Sequence, residues 1–167
     1  SPYWNVPTSI KNKEILPALR RNSNYLARNH MEWNGNNIRQ KPGPWNALGK
    51  VKFLFPNSHS IYLHDTPSKS LFSQDKRAFS HGCIRVEDPR RLAKYVLRHQ
   101  PEWTEERIDS AMNAEKELYV KIAKPIPVFI AYFTSWVDRE GRLNFRNDIY
   151  KRDGRLAEMI IENSKLK

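Results

Sequence analysis

Ser80-His81-Gly82-Cys83-Ile84-Arg85 holds the chain's single cysteine, and His64 stands nineteen positions before it. A free thiol is mostly protonated at neutral pH, with a pKa of about 8.5, so a nucleophilic Cys83 needs a base nearby. Histidine is the usual one. In extended backbone alternate residues share a side, which groups His81, Cys83 and Arg85 on one segment and Tyr62 and His64 on another. Where those segments are neighbouring strands, His64 reaches the sulfur, and Asp65, next in the chain, can orient the imidazole. Gly82 allows close backbone approach, so the amides of Gly82 and Cys83 can face a developing oxyanion. Two other readings use the same residues. A lone cysteine is commonly a small buried hydrophobe, and His59, His64, His81 and Cys83 are four potential zinc ligands.

Around the motif the pattern is that of a strand-rich α+β domain. Val51, Phe53 and Phe55 alternate with Lys52 and Leu54, Pro56-Asn57 turns, and Ser60–His64 runs back, which predicts a hairpin. Cys83–Val86 is a further short strand. Asp88-Pro89 supplies an N-cap and a first-turn proline for a helix to about Arg98, and Thr104 caps another carrying Ile108, Ala111 and Met112. Leu118–Ile122 and Val128–Phe133 read as strands. Trp136–Asp138 and Leu143–Phe145 flank an Arg139-Glu140-Gly141 turn, and Asp153–Asn163 reads as a closing helix. Upstream, Ile10–Leu19 and Ser23–Met31 read as short helices, the second capped by Ser23. Asn34–Gly49 reads as a long loop, a form that often serves as a lid or binding loop.

The 167 residues suit one domain, and 39% hydrophobic against 28% charged residues is enough apolar material for a core. A net charge of +11 calls for an anionic partner: nucleic acid, a membrane surface or an acidic polymer such as cell-wall glycan. No apolar run approaches the roughly 20 residues that span a bilayer. One cysteine excludes an intramolecular disulfide framework.

His64 and, starting sixteen positions on, Ser80–Arg85 resemble the signature of the L,D-transpeptidase catalytic domain, YkuD type. Ile61-Tyr62-Leu63-His64-Asp65-Thr66-Pro67, Val86-Glu87-Asp88-Pro89, Pro42-Gly43, Asn46-Ala47-Leu48-Gly49 and Lys52-Phe53 are similar to the family's flanking text. Pro2–Pro7 and Pro125–Asp148 resemble its larger, lid-bearing branch from Gram-negative bacteria. The strands with which the family's catalytic domain normally begins have no counterpart ahead of Ser1, so the chain is expected to lack the first strands of the sheet.

The resemblance implies a mostly-β, YkuD-type sandwich with peripheral helices, one catalytic domain over residues 1–167, and a helical lid at 8–45. It implies that Cys83 is the acylated nucleophile and His64 its general base, in a thiolate–imidazolium pair, with Asp65 orienting the ring. Ser80, His81 and Gly82 would shape the oxyanion pocket. Tyr62 would line the pocket beside Arg85, at a position where many members carry Asn. Phe79, Trp45 and Asn46 are expected on the substrate side. A metal-free thiol enzyme accounts for these residues without zinc, and no cofactor is implied. The implied partners are donor and acceptor tetrapeptide stems of peptidoglycan, with carbapenem β-lactams as covalent inhibitors and the periplasm as location. L,D-carboxypeptidase activity and attachment of a lipoprotein to the wall use the same site. Outside the class, a basic nucleic-acid-binding module fits the charge, though no motif supports it.

Overall fold

The computed structural model describes residues 1–80 and 82–164. His81, expected beside the oxyanion pocket, lies outside the described residues. The chain divides into two units, Ser1–Ile126 and Pro127–Lys167.

The first unit opens with strand β1 (Trp4–Asn5) and a helical stretch made of α1 (Thr8–Ile10), a π-helical turn (Lys11–Ile15) and α2 (Leu16–Arg21). Pro17, early in α2, has no N–H to donate, and just before it the Leu16 N–H reaches back five residues to the Lys11 carbonyl. Helix α3 (Tyr25–Arg28) is a single turn. It is shorter than the expected Ser23–Met31. Asn24 is its cap position, no side chain caps it, and Met31 has already entered strand β2 (Met31–Asn34).

The expected loop from Asn34 is in its first part a hairpin. Strand β3 (Asn37–Gln40) pairs antiparallel with β2, Asn34 facing Asn37, and with β1, giving a three-stranded sheet of order β1-β3-β2. Gly35, at φ 58°, supplies the left-handed residue that a two-residue hairpin loop requires. Val6, Ile10, Ile15 and Ile38 pack between this sheet and the helical stretch, with Trp4, Leu16, Tyr25, Leu26 and Met31 around them. Residues 8–45 thus combine helix and sheet around a small core that Trp4 and Val6 complete.

A second sheet holds the cysteine motif. Strand β4 (Lys52–Phe53) pairs antiparallel with β5 (Leu63–His64), as the hairpin reading expects, and β5 pairs parallel with β6 (Ile84–Arg85). Helix α4 (Pro89–Leu97) follows directly. Its Asp88 cap accepts the Arg91 N–H at 3.0 Å, and Thr104 does the same for Arg107 at the start of α5 (Glu105–Asn113). The two helices bury Ala93, Leu97 and Ile108 together, with Phe53, Val96, Trp103, Met112 and Val120 packed against them. Arg90 and Lys94, the former set against the α4 dipole, are answered by Glu105 and Asp109 of α5.

The second unit holds the antiparallel pair β7 (Ser135–Val137) and β8 (Leu143–Phe145), then α6 (Asp153–Ser164). Asp138 shapes the intervening turn by accepting the Glu140 and Arg142 amides. Leu118–Ile122 and Val128–Phe133, expected as strands, form none. Apolar β-branched and aromatic residues favour a strand only where a neighbour accepts their backbone and covers their faces, and Phe129 is 91% exposed. Among the described residues the strands are short and the helices hold more residues than the sheets, so the architecture is α+β.

Candidate active site

Parallel pairing of β5 and β6 sets Leu63 opposite Ile84 and His64 opposite Arg85. The Ile84 N–H donates to the Tyr62 carbonyl at 3.0 Å and the Val86 N–H to the His64 carbonyl at 2.8 Å. Side chains alternate along each strand. Tyr62 and His64 therefore share a face with Cys83 and Arg85. The Tyr62 and His64 rings meet edge to face, centroids 5.9 Å apart. Burial, and then the neighbouring Cys83 sulfur in hydrogen-bond range of the phenol, hold Tyr62 well above the usual tyrosine pKa.

His64 is buried, with 5% exposure, and its Nδ1 lies 2.5 Å from the Asp65 carbonyl oxygen. A carbonyl only accepts, so Nδ1 carries the proton and Nε2 is left with a basic lone pair. Burial lowers the His64 pKa below its ordinary value. The bond to Asp65 opposes this, and the Arg85 guanidinium adds to it. Burial and the neighbouring cation both disfavour the imidazolium.

Asp65 orients the ring through its main chain, and its side chain turns elsewhere. Oδ1 accepts the Thr66 N–H at 2.7 Å and pairs with Lys69 Nζ at 2.8 Å, while Oδ2 accepts the Lys50 N–H at 2.9 Å.

Cys83 is partly buried and free. Its S–H faces the Ser60 carbonyl at 4.0 Å. Ser60, at φ 54°, ends a loop stapled by Asn57, whose Oδ1 accepts the His59 and Ile61 amides and whose Nδ2 donates to the Phe55 and Ile61 carbonyls. Ser80 Oγ donates to the Cys83 carbonyl at 2.7 Å and accepts the Gly82 N–H at 3.2 Å, so it braces the motif loop from within. Gly82 takes φ 132°, a conformation open to glycine and rarely to other residues.

Of the residues expected on the substrate side, Phe79 is 46% exposed. Trp45 stacks on His30 at 3.7 Å. Asn46 is fully buried: its Nδ2 donates to the Pro2, Gln40 and Lys41 carbonyls, and its Oδ1 accepts the Leu48 N–H at 2.8 Å. It knots the chain and presents nothing to solvent. His59 is exposed, away from any metal set, and no three His, Cys, Asp or Glu side chains converge as one among the described residues. Sequence reasoning missed Asn57, Lys50 and Lys69. Only Asn57 left a signal, in the Pro56-Asn57 turn.

No helix among the described residues is long and apolar enough to cross a membrane. Residues 1–130 match the YkuD family, the L,D-transpeptidase catalytic domain. The chain is also 33% identical over 174 residues to a Haemophilus influenzae protein named "Putative L,D-transpeptidase", an alignment that takes in 92% of this chain and 35% of that protein. The chain therefore spans about a third of that relative's length. Tyr62, His64 and Cys83 all fall within the matched residues, and the chain belongs to the YkuD family of L,D-transpeptidase catalytic domains.

Proposed function

We propose that the protein forms 3→3 cross-links between diaminopimelate residues of peptidoglycan through a Cys83 acyl-enzyme. The observation that supports this most is the fixed tautomer of His64, whose Nδ1–H is held by the Asp65 carbonyl on the strand beside that of Cys83. His64 Nε2 takes the thiol proton as the sulfur attacks the carbonyl of the third stem residue. The amide to the terminal D-Ala breaks, and D-Ala leaves as an amine carrying the proton returned by His64. The side-chain amine of an acceptor diaminopimelate then attacks the thioester, gives its proton to His64 and releases the thiolate, which is reprotonated. Tyr62, Arg85 and Phe79 line the approach, and the Cys83 amide faces the oxyanion. Residues 8–45 act as the lid of a single catalytic domain built on a YkuD-type sandwich.

The basic charge suits the carboxylate-bearing stems of the wall, and the periplasm is where that substrate lies. Incubation of the purified protein with tetrapeptide muropeptides, read by mass spectrometry, tests the reading. A 3→3 dimer with loss of D-Ala is expected. Tripeptide alone would make the protein an L,D-carboxypeptidase, with water in place of the acceptor.

A further inference from the structure

Lys69 opens a 3-10 turn (Lys69–Ser73), and its ammonium has three partners. It pairs with Asp65 Oδ1 at 2.8 Å and donates to the Glu87 carbonyl at 2.7 Å and the Val86 carbonyl at 3.2 Å. An ammonium has three N–H groups, so these acceptors can use them all. Asp65 directly follows β5, the strand of the proposed base. Val86 and Glu87 directly follow β6, which continues from Cys83. We propose that Lys69 is a positioning residue that clamps the base strand to the nucleophile strand and thereby holds the Asp65 carbonyl on His64 Nδ1. This rests on the reading of His64 and Cys83 as base and nucleophile.

The clamp meets a need set by the strands themselves. β5 and β6 are two residues long, and a pairing so short gives little resistance to fraying or slippage. Lys69 adds cross-strand bonds just past the His64–Arg85 pair. The Asp65 carboxylate is meanwhile fixed from two further sides by the Lys50 and Thr66 amides. The Lys69 side chain is also half-exposed, and an ion pair in such a setting contributes little to overall stability. Its effect is therefore on geometry, where a displacement of about 1 Å can cost up to about 100-fold in rate.

The test compares Lys69→Met and Lys69→Arg with the native chain. Side-chain 15N spectra of His64, assigned with His64→Gln, should show the Nδ1–H tautomer in the native protein and a mixture of tautomers in Lys69→Met. Turnover of tetrapeptide stems should fall roughly 10-fold through kcat with KM unchanged, within the scale of misplacement. Lys69→Arg, whose several N–H groups can reach the same oxygens, should restore both readouts. A His64 spectrum unchanged in Lys69→Met would overturn the clamp, whatever the turnover. A native protein inactive on muropeptides would defeat the functional reading alone, and the His64 spectrum would still decide the clamp.

Discussion

Gly49 packs directly against the side chain of Asp65. A Cβ at position 49 would lie 2.6 Å from the Asp65 Cβ and overlap its carboxylate, on a backbone already at φ 58°. The same turn delivers the Lys50 amide to Asp65 Oδ2. Gly49→Ala should therefore do two things. Left-handed strain of about 1–2 kcal/mol should lower stability, and the displaced Asp65 should loosen its carbonyl from His64. Urea unfolding and turnover measured together check this: kcat should fall by more than the lost fraction of folded protein explains. Native-like kcat in a destabilised Gly49→Ala would show that the packing serves folding alone.

The nucleophile is tested covalently. Incubation with a carbapenem should add one adduct mass to the native protein and none to Cys83→Ala, as intact-mass spectrometry reads directly. His64→Gln should still fold and still acylate, but about 10²-fold or more slowly, the usual scale for losing a general base. An adduct that persists in Cys83→Ala would remove Cys83 from the mechanism.

The direction of the His64 shift predicts the acid limb of the pH profile. Burial lowers the folded-state pKa below that of the unfolded chain, so between the two values the unfolded state binds more protons. The stability contributed by neutral His64 is therefore present above the unfolded pKa of about 6.5 and is lost as pH falls toward the folded value. Acylation should follow the folded value, keeping its base active below pH 6.5. In Arg85→Gln the cation that helps lower the pKa is gone, and the limb should move to higher pH. An unmoved limb would mean that Arg85 does not act on His64 through its charge.

Local chemistry was the legible part of this sequence. Asp88-Pro89 and Thr104 announce helices because a cap needs only one side chain and an amide three residues away, and both bonds form. The β4–β5 hairpin follows from alternation, which also groups Tyr62 with His64 and Cys83 with Arg85, while the parallel pairing of the two segments is set by the fold. The β2–β3 hairpin is hidden in sequence because the Asn, Gly, Lys and Pro of Asn34–Gly49 read as loop, although Asn34-Gly35-Asn36 carries a turn signal. Lys69 could not be found from sequence. Its role depends on three oxygens from two separate strands, and no local pattern encodes that convergence. The burial of Asn46 has the same origin, since its partner Pro2 lies 44 residues away.

Asn46 gives the sharpest contrast between holding the fold and touching substrate. Its side chain closes the turn at Leu48 and reaches the Pro2 carbonyl at 3.1 Å and the Lys41 carbonyl at 2.9 Å, with no exposed surface. Asn46→Ala leaves these buried groups without a partner, at about 1–3 kcal/mol for a buried polar group left unsatisfied. Thermal and urea unfolding should both report the loss. Asn46→Asp should also destabilise, because an acceptor-only carboxylate would face the same carbonyls and be buried as a charge. The site itself is untouched by either change. KM for tetrapeptide stems should stay at its native value in both variants at a temperature where they are folded. A raised KM in fully folded Asn46→Ala would instead return this residue to the substrate side.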